Sequence, residues 1–229
     1  MDWEERQCKM KVRKWLLERI PGNTQIDYLG LPAGQAIFEK MLSCERDVRS
    51  MTLIEKDPET LSILEETVKN SSLGAASVGR TLINTDIDNY IHRTITFSDK
   101  LPFNFIWLDY CGAITPERLQ TLRLVLSKRP ENGIVAVTFM AGREKARGNT
   151  LLDFFDESYM GLPIDYEKDL VPSYFLRRVK AVSELARSAS QHIDIAVLPY
   201  RDSVPMMLFV FNTCAGVRPV TEIEPYLKE

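Results

Sequence analysis

Residues 103–112 read FNFIWLDYCG, an apolar run that stops at an acidic residue, Asp109. A second apolar run, GIVAVTFM at residues 133–140, follows a segment whose leucine and valine spacing predicts a helix over residues 116–127. Runs this apolar form strands that are covered on both faces, as in parallel sheets with a helix between consecutive strands. This strand–helix–strand unit therefore predicts an α/β fold.

The same alternation extends outward from this unit in both directions. Seven strands are predicted, at residues 26–29, 51–55, 80–84, 103–108, 133–140, 192–198 and 205–211. Helices are predicted at residues 3–20, around 37–42, and at 57–70, 88–93, 116–127, 151–159 and 175–188. The pattern predicts a three-layer sandwich with a mostly parallel seven-stranded sheet. Because only a short turn separates the last two strands, they are expected to form a C-terminal antiparallel hairpin.

One domain accounts for most of the chain, since 229 residues suit a single α/β domain and no linker or low-complexity run divides them. Residues 1–22 are predicted to form an N-terminal amphipathic helix that acts as a cap or lid. Residues 23–229 are then a single domain. Within it, residues 141–191 form an elaborated segment that carries no recognised motif and is expected to select the substrate.

Composition narrows the class of protein. With 45% hydrophobic and 27% charged residues and a net charge of −3, the chain is neither disordered nor fibrous. Four scattered cysteines and two histidines argue against a zinc site, a disulfide framework and a histidine-dependent triad. No apolar run approaches the ~18–20 residues that cross a bilayer, and the N-terminus lacks a secretory signal. We therefore expect an intracellular, cytoplasmic protein with no metal and no membrane partner.

Suggestive residues follow four of the predicted strands. The turn Gly30–Gly34 follows the first strand, Glu55 ends the second, Asp86 follows the third and Asp109 the fourth. In an open α/β sheet, ligands bind outside the carboxyl ends of the strands. A carboxylate after the second strand suits two ribose hydroxyls, and one after the third suits an adenine amino group. The arrangement therefore predicts an adenosine-containing ligand.

In order and spacing, five segments resemble the class I S-adenosylmethionine-dependent methyltransferases. They are YLGLPAG (28–34), TLIEKDPE (52–59), INTDIDNYI (83–91), FIWLDYCG (105–112) and GIVAVTF (133–139). The resemblance implies methyl transfer with S-adenosylmethionine as cofactor. It also implies roles for individual residues. The turn at the methionine end of the cofactor would be formed by Gly30, Leu31 and Gly34, and the ribose would be bound by Glu55, with Lys56 beside the adenine. The adenine would be bracketed by Asp86 and Ile87, and Asp109 would face the methyl-transfer centre.

The segment Asp109–Gly112 stands where methyltransferases of exocyclic amines carry [DN]-P-P-[YFW]. It is similar to the D-P-F-G of tRNA guanine-N2 methyltransferases, with Asp109 and Gly112 matching. The resemblance implies that Asp109 accepts a hydrogen bond from the target amine and that Tyr110 stacks on the base, as the catalytic residues. Cys111 leaves a covalent cytosine mechanism open, although a thiol that merely packs is the simpler interpretation.

Basic residues grouped at 118–147 and 177–187 favour a nucleic-acid substrate, with a solvated helix face as the alternative. They are Arg118, Arg123, Lys128, Arg129, Arg143, Lys145 and Arg147 in the first group, and Arg177, Arg178, Lys180 and Arg187 in the second. The oligomeric state stays open, because the apolar C-terminal hairpin could pair with a second copy.

Two positions depart from the family's first motif, an acidic residue followed by G-x-G-x-G. Tyr28 stands at the acidic position, and Pro32, which has no backbone N–H, replaces the middle glycine. These departures favour an alternative, a catalytically inactive methyltransferase-like module that serves as a protein-interaction surface. Structural explanations also exist for single residues: a lysine ion pair for Glu55 and a helix N-cap for Asp86. A nicotinamide cofactor is disfavoured because no G-x-G-x-x-G follows the first strand.

Overall fold

The computed structural model describes residues 7–71, 78–110, 112–140, 172–201, 205–213 and 221–223. The helices in this part of the chain are α1 (Gln7–Glu18), α2 (Ile37–Glu45), α3 (Pro58–Asn70), α4 (Ile87–Phe97), α5 (Pro116–Lys128) and α6 (Pro172–Ala189). The strands are β1 (Ile26–Gly30), β2 (Val48–Glu55), β3 (Gly79–Asn84), β4 (Phe105–Asp109), β5 (Ile134–Met140), β6 (Ile193–Arg201), β7 (Pro205–Thr213) and β8 (Thr221–Ile223). The predicted helix at 151–159 and the interpretations of Cys111 fall outside the described residues.

The eight strands form one sheet in the order β3-β2-β1-β4-β5-β7-β6-β8. Strands β1 to β5 pair in parallel where they are neighbours, and β7 runs antiparallel to both β5 and β6. The mostly parallel sheet and the C-terminal hairpin are thus confirmed. The predicted count of seven strands was one short, because β8 pairs with β6 through only three residues. Three residues are too few to show a period-two pattern.

Helix starts follow local capping rules at three of the strand-to-helix connections. Asp57 accepts a hydrogen bond from the Thr60 N–H at 2.8 Å, with Pro58 at the first helical position. Asp86 and Thr115 cap α4 and α5 in the same manner. The helix predicted at 88–93 extends over Ile87–Phe97, because further apolar residues of α4 pack on the sheet. These caps fix where the chain leaves each strand.

Two hydrophobic cores cover the two faces of the sheet. The first lies under α4, α5 and α6, and the second lies under α1, α2 and α3. Successive residues of β4 alternate between them: Ile106 and Leu108 enter the first core, and Phe105 and Trp107 the second. The central strands are therefore buried on both faces, which confirms the three-layer α/β sandwich.

Helix α1 packs as one of the three helices on the second face. It buries Cys8, Val12, Leu16 and Leu17 in the second core. At its C-terminal end, the Arg46 guanidinium donates to the Leu17 carbonyl at 2.7 Å and to the carbonyl of the nearby Ile20. A role as cap or lid stays a prediction. None of the helices in the described ranges is long and apolar enough to cross a membrane.

A carboxylate ties β1 to its neighbours near the amino ends of the strands. Asp27 is buried and accepts hydrogen bonds from the Arg49 guanidinium and, at 2.6 Å, from the Ser50 hydroxyl. Its backbone N–H donates to Asn104 Oδ1 at 2.9 Å. The Arg49 hydrogen bonds, aided by Ser50, outweigh burial and hold the pKa of Asp27 below its ordinary 3.8.

We expect Asp27→Asn to lower the free energy of unfolding by about 1–2 kcal/mol at pH 7, because Arg49 loses a charged acceptor. A lowered folded-state pKa stabilises the fold above the unfolded value of 3.8, and this stabilisation is lost as the pH falls through the folded value. Urea unfolding from pH 7 to pH 3 should therefore show the variant and the parent converging. Asp47→Asn, an exposed carboxylate nearby, is the control. A pH-independent difference would contradict the assignment.

Candidate functional site

The carboxyl ends of β1 to β4 lie side by side along one edge of the sheet, here called the carboxyl edge and marked by Gly30, Glu55, Asn84 and Asp109. Gly30 pairs with residues of both β2 and β4, and Glu55 lies opposite Asn84 of β3. The structure therefore brings the strand-end residues predicted from the sequence to one edge. This is where an open α/β sheet offers room for a ligand.

Glu55 is half-buried at the end of β2. Its Oε1 accepts a hydrogen bond from the Asp57 backbone N–H at 2.8 Å, and its carbonyl accepts one from Asn84 Nδ2 at 2.9 Å. Among the described residues it forms no ion pair with a lysine, which removes that structural explanation there. The neighbouring Lys56 is exposed. A ligand hydroxyl can thus meet a carboxylate whose position is already fixed by the backbone.

Asp86 lies just past β3 and is the N-cap of α4, because its Oδ1 accepts from the Asp88 N–H at 2.9 Å. The N-cap explanation for Asp86 is therefore confirmed, and it does not preclude contact with a ligand through the other oxygen. Ile87 is buried in the first core. Its role in bracketing an adenine stays a prediction.

Tyr110 is buried directly after β4. Its hydroxyl donates to Asp88 Oδ1 at 2.6 Å, its ring stacks on Phe139 with 5.7 Å between centroids, and the Arg118 guanidinium lies 4.8 Å from the ring centre. Burial, and then the Asp88 charge, raises the pKa of Tyr110, so the phenol stays a donor. These contacts fix the orientation of the Tyr110 side chain. Stacking on a base stays a prediction.

The turn after β1 approaches the protein's own side chains closely. A Cβ on Gly30 would lie 2.0 Å from the Tyr28 hydroxyl, and one on Gly34 would lie 3.0 Å from Ile63 Cγ2. Two residues after this turn, Ala36 precedes α2 with a left-handed backbone, at φ 48°. Packing within the fold is therefore sufficient to require glycine at position 30, whatever else this turn binds.

Leu31 is half-buried and packs against the first core, and Pro32 is buried. Both sit between the two glycines of the turn. Pro32 donates no backbone hydrogen bond here. The contribution of Leu31 to cofactor binding stays a prediction.

A buried acid lies beneath the turn. The Tyr28 hydroxyl donates to Glu39 Oε1 at 2.8 Å, and Glu39 is only 3% exposed. Burial raises the pKa of both groups. For Glu39 the hydrogen bond from Tyr28 and, to a smaller extent, the nearby Arg13 charge partly offset the rise. The sequence analysis did not identify Glu39. The signal that could have identified it is its position on the apolar side of a helical pattern, where an acidic residue is unexpected.

Asp109 points towards α1 from the end of β4. Its side chain is 13% exposed, and Oδ2 lies 3.8 Å from Lys9 Nζ of α1. The other oxygen, Oδ1, is buried and accepts no hydrogen bond within the described part of the chain. Sequence reasoning found Asp109 but not Lys9, because the partners are a hundred residues apart and no local pattern links them.

Many of the basic residues expected to face a nucleic acid are used inside the fold. Arg118 donates to the Ala113 carbonyl at 2.6 Å, and Arg129 donates to the Leu126 carbonyl at 2.6 Å. Arg178 is buried, whereas Lys180, which pairs with Glu184, and Arg187, which donates to Thr221, remain exposed. Arg123 is exposed, and residues 143, 145 and 147 lie outside the described ranges. The structure thus removes Arg118, Arg129 and Arg178 from the basic surface that the sequence indicated.

No family model and no curated protein matches this sequence. Several solved structures, however, are similar to this chain in fold. An rRNA methylase from Streptococcus thermophilus is 12% identical, with 92% of this chain and 99% of that chain covered and a TM-score of 0.50. An O-methyltransferase family protein from Burkholderia thailandensis is 13% identical, with 91% and 57% covered and a TM-score of 0.52. The S-adenosylmethionine-dependent methyltransferase SibL is 16% identical, with 90% and 56% covered and a TM-score of 0.52. The chain therefore has the class I methyltransferase fold.

We expect Gly30→Ala to lower the free energy of unfolding by about 1–3 kcal/mol, because the new methyl group overlaps the Tyr28 ring. Thermal or urea unfolding measures the loss. Gly22→Ala is the matched control, since a Cβ there meets nothing within 4 Å. Replacing Tyr28 by leucine in the Gly30→Ala background should recover part of the loss. Equal stability of the two alanine variants would contradict this account of Gly30.

We expect Glu39→Gln to change how stability depends on pH. Burial raises the pKa of Glu39 above its ordinary 4.5, so the folded state holds the proton more tightly than the unfolded state. The parent must then lose stability as the pH rises above 4.5 towards the folded value. Glu39→Gln lacks that loss, and its stability relative to the parent should increase from pH 4 to pH 7 in urea unfolding. Glu45→Gln, exposed on the same helix, should show no such trend.

Proposed function

We propose that the protein is an S-adenosylmethionine-dependent methyltransferase that acts on an amine, most specifically an exocyclic amine of a nucleic-acid base. One observation carries the proposal: Asp109 ends β4 with a buried Oδ1 that accepts no hydrogen bond in the described ranges. Leaving a buried carboxylate oxygen without a donor costs about 1–3 kcal/mol or more. A bound amine supplies that donor, in a fold shared with known methyltransferases.

The residues of the carboxyl edge fit the groups of this cofactor. Glu55 would take the ribose hydroxyls with Lys56 beside the adenine, and Asp86 and Ile87 would bracket the adenine. Gly30, Leu31 and Gly34 would line the methionine end. The cofactor supplies an electrophilic methyl group on a sulfonium when bound. The orphaned oxygen of Asp109 and the pre-positioned carboxylate of Glu55 support this assignment.

The chain's own residues then act by positioning. Asp109 accepts a hydrogen bond from the amine of the acceptor and so aims the nitrogen lone pair. Tyr110, held by Asp88 and Arg118, fixes the backbone that carries Asp109. Positioning of this kind can contribute about 7–11 kcal/mol to lowering a barrier. The Asp109 side chain is only 13% exposed, which limits how far water weakens this contact.

A nucleic-acid base is proposed as acceptor on two grounds. One structural neighbour is named as an rRNA methylase, and Asp109 and Gly112 match the guanine-N2 methyltransferase segment. A Cβ on Gly112 would lie 2.5 Å from Arg118 Nη1, so a larger residue there would displace the Arg118 guanidinium. The exposed Arg123 and the basic residues at 143–147 would contact phosphates.

A second candidate is a methyltransferase-like module without cofactor. Specific observations favour it: Pro32 is buried and has no N–H, and the Tyr28 hydroxyl already fills the space beside Gly30. Calorimetry with S-adenosylmethionine, S-adenosylhomocysteine and NAD separates the candidates. Micromolar binding of the first two but not NAD supports the methyltransferase. Binding of none favours the module.

Asp109→Ala should reduce methyl transfer by roughly 100-fold or more, because the amine loses its acceptor. Label from methyl-tritiated S-adenosylmethionine, incorporated into RNA, DNA and small amines, measures the loss. Asp99→Ala, an exposed acid, is the control and should retain parental turnover. Unchanged turnover of Asp109→Ala at an unaltered unfolding temperature would remove the role given to Asp109.

A further inference from the structure

Helix α1 has two sides of different chemistry. Its apolar residues lie in the second core, where Cys8, Val12 and Leu16 are at most 1% exposed. On the remaining side, Lys11 and Lys14 are exposed. Because these lysines are three residues apart on a helix, they are neighbours on its surface, with about 5–6 Å between their Cβ atoms.

The charges of these two lysines are not used by the fold. Among the described residues, the ammonium groups of Lys11 and Lys14 form no hydrogen bond or ion pair. Within Gln7–Glu18 the one acidic residue is Glu18, in the last turn. This side of α1 is therefore a positive surface on a chain whose net charge is −3.

The positive surface begins beside the acid to which the proposed function gives the acceptor amine. Lys9 Nζ lies 3.8 Å from Asp109 Oδ2, so the first turns of α1 are at the carboxyl edge. With a rise of about 1.5 Å per residue, Lys11 and Lys14 lie about 3 Å and 7.5 Å further along the helix axis than Lys9. Long lysine side chains at these positions can reach the phosphates that flank a base bound at Asp109.

A nucleic-acid acceptor needs cations close to this acid. Arg118, Arg129 and Arg178, which the sequence offered for this purpose, are bonded or buried inside the fold. A base must also leave its stack to reach a carboxylate that is only 13% exposed, so the strand itself has to be held near the site. Contacts to phosphate provide such a hold and set the position of the strand. Helix α1 supplies cations at the required place.

Charge and burial together favour a phosphate backbone over a membrane as the occupant of this surface. A basic amphipathic helix can bind a membrane, but it then inserts its apolar side among the lipids. In α1 that side is already covered, with Leu16 and Leu17 0% and 1% exposed. The positive side that remains outside fits a polyanion in water.

We propose that Lys11 and Lys14 bind the phosphate backbone of the nucleic-acid strand that carries the acceptor base. The inference rests on the proposed function, and it places the acceptor strand along α1. It gives α1 a role in holding the substrate, through residues that touch neither the cofactor nor the reacting atoms.

The experiment measures binding of a fluorescein-labelled single strand of about 20 nucleotides, which is longer than a typical single-strand site. RNA and DNA of one sequence are both titrated by fluorescence anisotropy over a range of salt concentrations. The variant Lys11→Gln/Lys14→Gln should bind the preferred strand roughly tenfold or more weakly at about 50 mM salt. Its slope of log K against log salt should be smaller by about 1.4, because two phosphate contacts are lost. The variant Lys11→Arg/Lys14→Arg keeps both charges and should bind as the parent does.

The matched control is Lys69→Gln/Lys100→Gln, which removes the same charge from exposed lysines near the amino ends of the strands. Lys69 is in the last turn of α3, and Lys100 precedes β4. This control should keep the parental affinity and salt slope. Unchanged binding by Lys11→Gln/Lys14→Gln, or an equal loss in the control, would overturn the inference and leave the proposed function standing.

Failure of the proposed function gives a different result. If the parent binds neither strand while calorimetry still shows binding of S-adenosylhomocysteine, the nucleic-acid acceptor fails, and the inference fails with it. Binding of the parent to phosphatidylserine vesicles but to neither strand would also overturn the inference, in favour of a membrane surface.

Discussion

Burial of β1, β4 and β5 on both faces is the constraint on which the structure depends. A strand covered on both sides has no water to satisfy its backbone, so its N–H and C=O groups must pair with neighbouring strands. Parallel pairing then brings Gly30 and Asp109 to the same edge. The polar residues that follow these strands are thus brought together without needing to attract one another. The grouping of polar residues at the carboxyl edge is therefore a consequence of how the apolar strands pack.

Carboxylates at the two ends of the sheet lie in opposite electrostatic environments. Near the amino ends, Asp27 is surrounded by donors and its ionised form stabilises the fold. At the other end, Glu39 is buried with a raised pKa, and Asp109 has an oxygen that accepts no hydrogen bond from the residues that the structure describes. Such unfavourable groups persist where they serve a function, and the favourable interactions elsewhere offset them. The electrostatically unfavourable carboxylates therefore lie at the carboxyl edge, which is also where the strand topology offers room for a ligand.

Interactions within a few residues were predictable, and interactions between distant segments were not. The Asp57 cap follows from a spacing of three residues, and the β6–β7 hairpin follows from a short turn between two apolar runs. Lys9 gave no signal, because its partner lies in another element. Gly30 was correctly singled out, but its packing against Tyr28 depends on side-chain direction, which a sequence pattern does not give. The sequence therefore predicted which residues lie at the carboxyl edge better than it predicted the contacts that these residues make.

The insertion of β7 between β5 and β6 has a consequence for how the protein forms during synthesis. Helix α1, near the start of the chain, packs in the second core with Leu198 and Tyr200 of β6 and with Leu208 of β7. Its apolar side therefore has no complete partner surface until residues 198–208 have been synthesised. Contacts between such distant segments fold slowly. A nascent chain that has not reached these residues would carry an amphipathic helix with part of its apolar side exposed.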